Sequence, residues 1–420
     1  MCLDSKRMTN SCRFESCLLQ YFKQTNKHLK ENIDGLSNGR YFYSNNHRDT
    51  INTPLLAMEE QMKIAIIDFS MLKHAATHAV KKHQDLNSMD GHLVCITQRC
   101  SEILFALQTL HKFDRVVFAL DTKPYWRQEE MDAFYRTNTH FLEYQDEIYW
   151  SGYGAIYQAD ENGKLKKLKK KEGEEILANG RIRGDFATIA EEFPLPKYKG
   201  HRKPMDLDWL DCHPVKYFRL MESLPFAYRG LLKGAVVSVE GAEADDIAGI
   251  LSHRANEKGN EVVLITGDSD WAQLAAYYPN VTFLNPYREQ TYTHADREAI
   301  VQKTLVKIIG GDSGDGIKGC PTHKSYGPLG ETKAAGIVEA KSWGLDIPKA
   351  YLDHNKRMVR LHPDSLPFDI IDAIHQAVAD ASKMPLNDTT WEELGLTRSR
   401  QDELMIDSKA KELWELVMEK

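Results

Sequence analysis

Five carboxylic acids lie close together in one stretch of this sequence, and together they could bind divalent cations. They are Glu243, Asp245, Asp246, Asp268 and Asp270. Two ionised carboxylates about 4 Å apart repel by roughly 4 kcal/mol at an effective dielectric constant of 20. A fold that gathers several of them must therefore protonate some or bind cations. Because the set contains no cysteine or histidine, it suits a hard ion such as Mg²⁺ or Mn²⁺. The alternative for any single acid is an ordinary solvated surface carboxylate.

Short apolar runs precede these acids and two others, Asp68 and Asp121. The runs are Lys63–Asp68, Arg115–Asp121, Ala235–Val239 and Glu261–Thr266. Such runs, when they alternate with helical stretches such as residues 92–112, predict parallel strands of an α/β sheet. The carboxyl ends of parallel strands meet at one edge, where ligands bind. We therefore expect four strand ends to deliver acids to a single site.

The three acids that follow the Ala235–Val239 run fall in the first turn of a predicted helix. Glu243 and Asp246 have i, i+3 spacing and share a face, whereas Asp245 lies on a neighbouring face. The helix dipole favours negative charge at this end. Simple capping of the helix would explain one acid but not three.

A long segment between Asp121 and that helix shows no alternation of strands and helices. Aromatic and basic residues interleave at Tyr125–Arg127 and at Tyr198–Lys203. This mixture suits stacking on bases and neutralising phosphates. The lysine run of residues 164–171 is either a solvated face or a substrate contact.

A glycine-rich turn after the predicted sheet adds two acids, Asp312 and Asp315, and a second glycine-rich segment, residues 327–335, opens another helix. Glycines let backbone N–H groups approach a phosphate closely. The pattern predicts either a grip on a phosphate backbone that ignores base sequence or a plain loop.

Length and composition set the outer bounds. The chain has 420 residues, 42% hydrophobic and 27% charged, which is typical of a soluble globular protein of two or three domains. The net charge of −7 means that nucleic-acid binding would need local patches. The seven cysteines show no CxxC pair, which favours a reduced, cytoplasmic compartment, in the host cell if the protein is viral. No apolar run approaches the roughly 18 residues of a membrane span, so no membrane partner is expected.

These residues together resemble the 5′-nuclease superfamily of flap endonucleases and 5′→3′ exonucleases, and most closely its phage ribonuclease H branch. The resemblance runs from about Lys63 to about Ala340. It is carried by six motifs: Ile66–Ser70, Asp121 with Tyr125–Arg127, Tyr198–Arg202, Glu243–Asp246, Thr266–Asp270 and Gly311–Ile317. It implies a parallel-sheet, PIN-like nuclease core, a helical arch insertion and a C-terminal helical helix-three-turn-helix domain. The boundaries that we predict are a polar extension 1–61, the core 62–300 with the arch insertion 125–205, the C-terminal domain 301–395 and a helical tail 396–420.

The resemblance also implies the cofactor and the residues of the site. Two Mg²⁺ ions are expected, with Mn²⁺ able to substitute. Asp68, Asp121, Glu243 and Asp245 would bind the first ion, and the second would be bound by Asp246, Asp268, Asp270, Asp312 and Asp315. Lys199 and Arg202 would contact the scissile phosphate, and with Asp245 they form the predicted catalytic set. The predicted nucleic-acid contacts are Tyr125, Trp126, Arg127, Tyr198, Lys199, Arg202, Lys203, Gly330 and Lys333.

The activity implied is a structure-specific 5′→3′ exonuclease or flap endonuclease with ribonuclease H activity, acting on DNA and RNA–DNA hybrids with 5′ ends or flaps during replication. A monomer is expected, with a single-strand-binding protein or a sliding clamp as candidate partners. Two departures from the family are visible: Gly316 stands where the family has Asn, and residues 132–196 have almost no counterpart in the phage relatives.

Two other functions remain as alternatives, a metal-dependent ribonuclease for single-stranded RNA and a catalytically silent protein that binds branched DNA. The first would lack the Asp312–Asp315 turn, and the second would have lost acids from the set. A phosphatase with an aspartyl nucleophile is disfavoured, because Asp68–Leu72 lacks the second Asp of a DxDxT motif.

Overall fold

A computed structural model describes residues 61–81, 89–210, 214–288, 290–341 and 346–406. The predicted polar extension 1–61, apart from its last residue, lies outside the described residues, as do residues 407–420 of the predicted tail. Residues 398–406 of that segment are helical.

The strands of the described ranges are numbered in chain order. They are β1 (Lys63–Asp68), β2 (Arg115–Leu120), β3 (His140–Tyr144), β4 (Glu147–Gly152), β5 (Ala155–Ala159), β6 (Leu165–Lys167), β7 (Arg181–Ile182), β8 (Ala235–Ser238), β9 (Glu261–Ile265), β10 (Val281–Asn285), β11 (Gln290–Tyr292), β12 (Gly311–Asp312) and β13 (Ile317–Lys318).

The α-helices are numbered in the same way. They are α1 (Phe69–Lys81), α2 (Met89–His111), α3 (Tyr125–Asn138), α4 (Lys170–Asn179), α5 (Phe186–Glu192), α6 (Pro214–Leu231), α7 (Ala244–Glu257), α8 (Ala272–Tyr277), α9 (Arg297–Gly310), α10 (Glu331–Glu339), α11 (Lys349–Val359) and α12 (Phe368–Lys383). None of the helices in the described ranges is both long enough and apolar enough to cross a membrane.

The central sheet has six strands in the order β11-β10-β9-β1-β2-β8. All neighbouring pairs are parallel except β10 with β11. The predicted α/β class with a parallel-sheet core is therefore confirmed. Strands β9, β1, β2 and β8 are adjacent, so their carboxyl ends share one edge of the sheet, as the sequence predicts.

Helices cover both faces of this sheet, because its strands are apolar on both sides. One core contains Leu72 of α1, Leu104 of α2 and Tyr217 of α6. The other contains Ile247 of α7 and Ile374 of α12. Each strand end is thus fixed between two packed layers, which is what positions the residues that follow it.

The insertion between α3 and α6 contains a five-stranded antiparallel sheet in the order β6-β5-β4-β3-β7. The turns of this sheet have the residues and backbone angles of hairpin turns. Gln145 and Asp146 have positive φ angles at the β3–β4 turn, and Asn162-Gly163 lies in the β5–β6 turn. Such turns are typical of hairpins. The family resemblance implied a helical arch insertion here. The antiparallel sheet was not predicted, because its strands do not alternate with helices.

The insertion shares one apolar core with the C-terminal helices. Trp150 and Tyr153 of the small sheet pack in the same cluster as Phe134 of α3, Ile309 of α9 and Leu352 of α11. The backbone N–H of Gly327 donates to the carbonyl of Gly154 at 2.9 Å, which ties residues 319–330, the segment between β13 and α10 that we call the C-terminal hairpin, to the small sheet. The insertion is therefore part of the C-terminal packing unit.

The C-terminal region also approaches the core closely at Gly249 of α7. A Cβ at this position would stand 2.4 Å from the carbonyl oxygen of Leu361. We expect Gly249→Ala to lower the free energy of unfolding by about 1–3 kcal/mol, since the backbone must move to accept the methyl group. The measurement is urea or thermal unfolding.

The matched control is Gly336→Ala, which is also a helical glycine but lies in open space. That substitution should raise stability by about 0.5–1 kcal/mol, because alanine is the better helix former. Equal effects of the two substitutions would contradict the close approach of α7 to Leu361.

Candidate active site

Eight of the nine predicted metal-binding acids form one electrostatic network at the carboxyl edge of the sheet. The pKa of Asp68 is raised by burial first and then by the charges of Asp121 and Asp268. The remaining members influence one another in the same way: Glu243, Asp245, Asp270, Asp312 and Asp315. The structure thus brings the acids of four strand ends and the glycine-rich turn to one place, as predicted.

Asp68, at the end of β1, is buried beneath this edge. Its Oδ1 accepts a hydrogen bond from the N–H of Met71 at 3.0 Å, and its Oδ2 accepts one from Thr266 Oγ1 at 2.8 Å. Burial raises its pKa from 3.8 to about 7 despite these hydrogen bonds. Asp121 is exposed, and its Oδ1 accepts from the N–H of Ala244 at 2.9 Å. The first turn of α7 is therefore fastened to the end of β2.

Asp245 is the acid whose ionisation is least favoured. Its Oδ1 accepts a hydrogen bond from Trp271 Nε1 at 2.6 Å. Burial raises its pKa well above the usual range, and the charges of Asp268 and Glu243 raise it further. A bound cation would favour the ionised form of this carboxylate.

Asp246 differs from its neighbours, because the protein itself uses both of its oxygens. Arg127 donates to Oδ1 through Nη2 at 2.7 Å and to Oδ2 through Nη1 at 2.9 Å. Trp126 Nε1 and the N–H of Glu243 also donate to Oδ2, the latter completing a capping box at the start of α7. The Asp246 side chain is 0% exposed. The expectation that Asp246 binds the second ion is therefore corrected: Asp246 fixes α7 and Arg127.

Glu243 is surrounded by three donors. Arg127 Nη1 lies 3.0 Å from Oε2, Tyr198 Oη lies 2.8 Å from the same oxygen, and Lys199 Nζ lies 2.5 Å from Oε1. Burial opposes ionisation of Glu243, but the positive charges of Arg127 and Lys199 outweigh it and lower the pKa. Glu243 is therefore an anion that already has internal counterions.

The segment that carries Lys199 is attached to the glycine-rich turn. The N–H of Lys199 donates to the carbonyl of Asp315 at 2.8 Å, and Arg202 Nη2 lies 2.7 Å from Asp315 Oδ1. Lys199 has a φ of 52°, a conformation that is uncommon for residues other than glycine and is often kept at functional sites. Tyr198 Oη donates to Asp315 Oδ2 at 3.1 Å, and burial raises the pKa of Asp315.

Gly316 explains one departure from the family. Its φ is +77°, in the left-handed region that glycine adopts readily and asparagine tolerates, and a Cβ there would stand 2.8 Å from the carbonyl oxygen of Lys197. In this chain the tight approach of the Lys197 backbone favours glycine.

Lys307 of α9 bridges Asp270, which follows strand β9, and Asp312 of the glycine-rich turn. Its Nζ lies 2.6 Å from Asp270 Oδ1 and 2.7 Å from Asp312 Oδ2. Burial raises the pKa of Asp270 to about 6, whereas the bond from Lys307 overcomes burial at Asp312 and lowers that pKa. The sequence analysis did not assign Lys307. The available signal was a lysine in the last turn of an apolar helix, directly before an acidic turn.

Three predicted nucleic-acid contacts are buried and are corrected. Trp126, Arg127 and Tyr198 are 5%, 1% and 8% exposed, and each donates to Glu243 or Asp246. They stabilise the acids instead of presenting a stacking surface, because buried carboxylates need hydrogen-bond donors from the protein. The remaining predicted contacts that the acids do not engage are exposed: Tyr125, Lys203, Gly330 and Lys333.

The donor set fits divalent metal ions. It consists of carboxylates, several of them buried with raised pKa values, and the charge of a bound ion would relieve their repulsion. In the part of the chain that the structure describes, no three of these side chains converge on a single point at metal-ligand distance. The ammonium groups of Lys199 and Lys307 instead lie against Glu243, Asp270 and Asp312.

Comparisons with known proteins agree with this site. Residues 190–305 match the family described as 5'-3' exonuclease, N-terminal resolvase-like domain, a region that includes Lys199, Arg202 and the acids from Glu243 to Asp270. DNA polymerase I of Chloroflexus aurantiacus is 35% identical over 28% of this chain and 14% of that protein. The 5'-3' exonuclease of Buchnera aphidicola is 32% identical over 30% of this chain and 42% of that protein. These matches confirm the resemblance to the 5′-nuclease superfamily.

The chain spans less than half the length of these curated relatives. Among solved structures, the bacteriophage T5 5'-exonuclease with bound zinc ions aligns with a TM-score of 0.41 and 15% identity, over 76% of this chain and 100% of that one. The T5 flap endonuclease in a pseudo-enzyme–product complex with DNA and metal ions aligns with a TM-score of 0.40 and 15% identity, over 77% and 100%.

The raised pKa of Asp68 predicts a specific pH dependence. The folded state keeps a proton that the unfolded state has released above about pH 4, so the free energy of unfolding falls as the pH rises toward 7. Asp68→Asn carries no such penalty. In chelator, we expect this variant to melt above the wild type at pH 8, with a difference that shrinks as the pH is lowered to 5.

Added Mg²⁺ should reverse that order, because only the wild type has the Asp68 charge to offer an ion. The measurement is the melting temperature of both proteins across pH, with and without Mg²⁺. A difference that is the same at pH 5 and pH 8 would show that Asp68 is not a buried acid of the cluster.

Proposed function

We propose that this protein is a 5′→3′ exonuclease or flap endonuclease that hydrolyses phosphodiester bonds with two divalent ions, Mg²⁺ in the first place. The single observation that carries the proposal is the network of eight acids at one sheet edge, next to Lys199 and Arg202. The family match and the names of the curated relatives support it.

When bound, the two ions would lower the pKa of a water molecule and stabilise the charge of an in-line displacement. Asp68, Asp121, Glu243 and Asp245 would hold one ion, and Asp268, Asp270, Asp312 and Asp315 the other. Asp246 is left out of this set, since it is committed to Arg127.

The chain's own cations have two tasks. Arg127 stays buried, favours the ionised form of Glu243 and orients both Glu243 and Asp246. Lys199 and Arg202 are more accessible, with 19% and 54% of their side chains exposed, and are free to exchange a carboxylate for a substrate phosphate. A phosphate aligned in this way loses less orientational freedom on reaching the transition state.

The substrate class we propose is DNA and RNA–DNA hybrids with 5′ ends or flaps, so that RNA primers or flaps are removed during replication. Ribonuclease H activity and partners such as a clamp or a single-strand-binding protein belong to this proposal. The test is cleavage of end-labelled 5′-flap, nicked duplex and RNA–DNA hybrid, each in Mg²⁺ and in chelator.

Cleavage should disappear in chelator and return with Mg²⁺ or Mn²⁺. Asp245→Asn should reduce turnover by about 100-fold or more, because a ligand charge worth several kcal/mol is lost. Its melting temperature should not fall, since a buried carboxylate with a raised pKa is removed. Undiminished cleavage in chelator, or by Asp245→Asn at saturating Mg²⁺, would refute the metal-dependent reading.

Changing Lys199 and Arg202 to Ala should remove two phosphate contacts. The slope of log affinity against log salt should fall by up to about 1.8 on duplex or about 1.4 on a single strand. Catalysis should fall further than affinity, because the phosphate loses its alignment.

A double variant at the opposite edge of the sheet, Lys63→Ala with Lys258→Ala, serves as the charge-matched control. The measurements are binding across a salt series and single-turnover cleavage in Mg²⁺. If the Lys199 and Arg202 variant behaved like this control, the phosphate assignment would be wrong.

A further inference from the structure

A second cationic site lies where the insertion meets the C-terminal hairpin. Lys167 of the edge strand β6 stands directly opposite Tyr157 of β5 in the antiparallel register, so both side chains lie on the same face of the small sheet. Lys318 of β13 reaches the same point, with its Nζ 4.9 Å from the centre of the Tyr157 ring. Two lysines from distant parts of the chain therefore lie beside Tyr157, one over its ring and one opposite it on the neighbouring strand.

These two lysines are close enough to influence each other. Burial lowers the pKa of Lys318, and the positive charge of Lys167 lowers it further. Lys167 also lies against the hairpin itself, because a Cβ on Gly327 would stand 3.0 Å from its Nζ. The repulsion between the two ammonium groups destabilises this junction.

No carboxylate of the described residues forms an ion pair with either lysine, whereas several other lysines of these segments are paired. Lys170 of the same insertion pairs with Glu174, Lys324 of the hairpin pairs with Asp346, and Lys199 and Lys307 pair with the acid cluster. Lys318 is partly buried and Lys167 is exposed beside it, and a pair of neighbouring cations without a counterion is well suited to bind an anion from outside.

The position of the two lysines relative to the acid cluster indicates which kind of anion they would bind. Strands β12 and β13 pair so that Lys318 faces Gly311 and Ile317 faces Asp312. Lys318 is therefore one position beyond the Ile317–Asp312 pair on the same short ribbon, with its side chain on the opposite face from Asp312. Asn355 of α11 donates to the carbonyl of Lys318 at 2.9 Å, which keeps the ribbon in place.

We propose that Lys318 and Lys167 bind the sugar–phosphate backbone of a nucleic-acid strand that leaves the acid cluster along β12 and β13. The exposed Lys166 and Lys169 continue this path over the insertion. The proposal rests on the proposed nuclease function and extends it, since it gives the insertion a direct part in holding the substrate. The anion recognised is the phosphodiester, whether it belongs to a duplex arm or to a single-stranded tail.

The test compares Lys167→Met with Lys318→Met, singly and together, in an Asp245→Asn background that suppresses turnover. Methionine keeps an apolar stem over Tyr157 and removes the charge. Each lost phosphate contact should reduce the salt slope by about 0.9 on duplex or about 0.7 on a single strand. At about 0.15 M salt, a slope of 0.9 corresponds to a roughly fivefold loss of affinity per contact.

The matched control is Lys170→Met, which removes one exposed, ion-paired lysine from the same insertion. It should leave affinity and salt slope unchanged. The melting temperature of the double variant should stay level or rise, because a repulsion is removed and no ion pair is lost. Should Lys318→Met fail to fold, Lys167→Met on the exposed strand β6 carries the test alone.

Substrates with short and long duplex arms, and with a single-stranded tail, identify which part of the substrate occupies the site. The substrate part whose removal abolishes the effect of the substitutions is the occupant. Unchanged affinity and slope for Lys167→Met, or an equal loss for Lys170→Met, would overturn the proposal. Cleavage by the protein without these substitutions in Mg²⁺ is scored separately, so failure of the proposed function and failure of this site are distinguishable.

Discussion

The repulsion among the acids gathered at one sheet edge is the constraint on which the rest of the site depends. The parallel order of β9, β1, β2 and β8 makes the gathering unavoidable, because each of these strands is followed by a carboxylate. Internal cations of two kinds offset this repulsion. Arg127 is buried and bidentate, whereas Lys199 and Lys307 approach from partly exposed positions. A planar guanidinium suits a permanent bidentate pair, and a flexible ammonium suits an exchangeable one.

This division explains why two adjacent aspartates have different functions. Asp245 and Asp246 are neighbours in sequence, but successive helical residues point about 100° apart, and only the i, i+3 pair of Glu243 and Asp246 shares a face. Asp246 therefore turns inward to Arg127 and the capping box, and Asp245 turns toward Trp271 and the open edge. Asp246 completes the capping box that begins the helix, and in the proposed site Asp245 would bind an ion.

The sequence was sufficient for the parts of the molecule that follow from local pattern. The four apolar runs became adjacent parallel strands, and the acids at Asp68, Asp121 and Glu243 came to one edge. The sequence does not show which polar residues would form hydrogen bonds and ion pairs with one another inside the protein. Arg127 and Glu243 are 116 positions apart, and no local rule pairs them. The small sheet has a local signal, because Asn162-Gly163 is typical of a hairpin turn. It was not predicted, because the surrounding strands do not alternate with helices.

The shared core of the insertion and the C-terminal helices connects this sheet to the chemistry. Asp312 and Asp315 lie on a short ribbon and turn, and such an element has little packing of its own. Its position is set on one side by Asn355 of α11 and on the other by the Tyr198–Arg202 segment, which follows directly from the insertion. Because Trp150 and Tyr153 of the small sheet pack in the same cluster as Ile317, a shift of the insertion is transmitted to the ribbon. The insertion therefore helps to decide where two of the eight acids, Asp312 and Asp315, stand, in addition to any contact that it makes with a substrate.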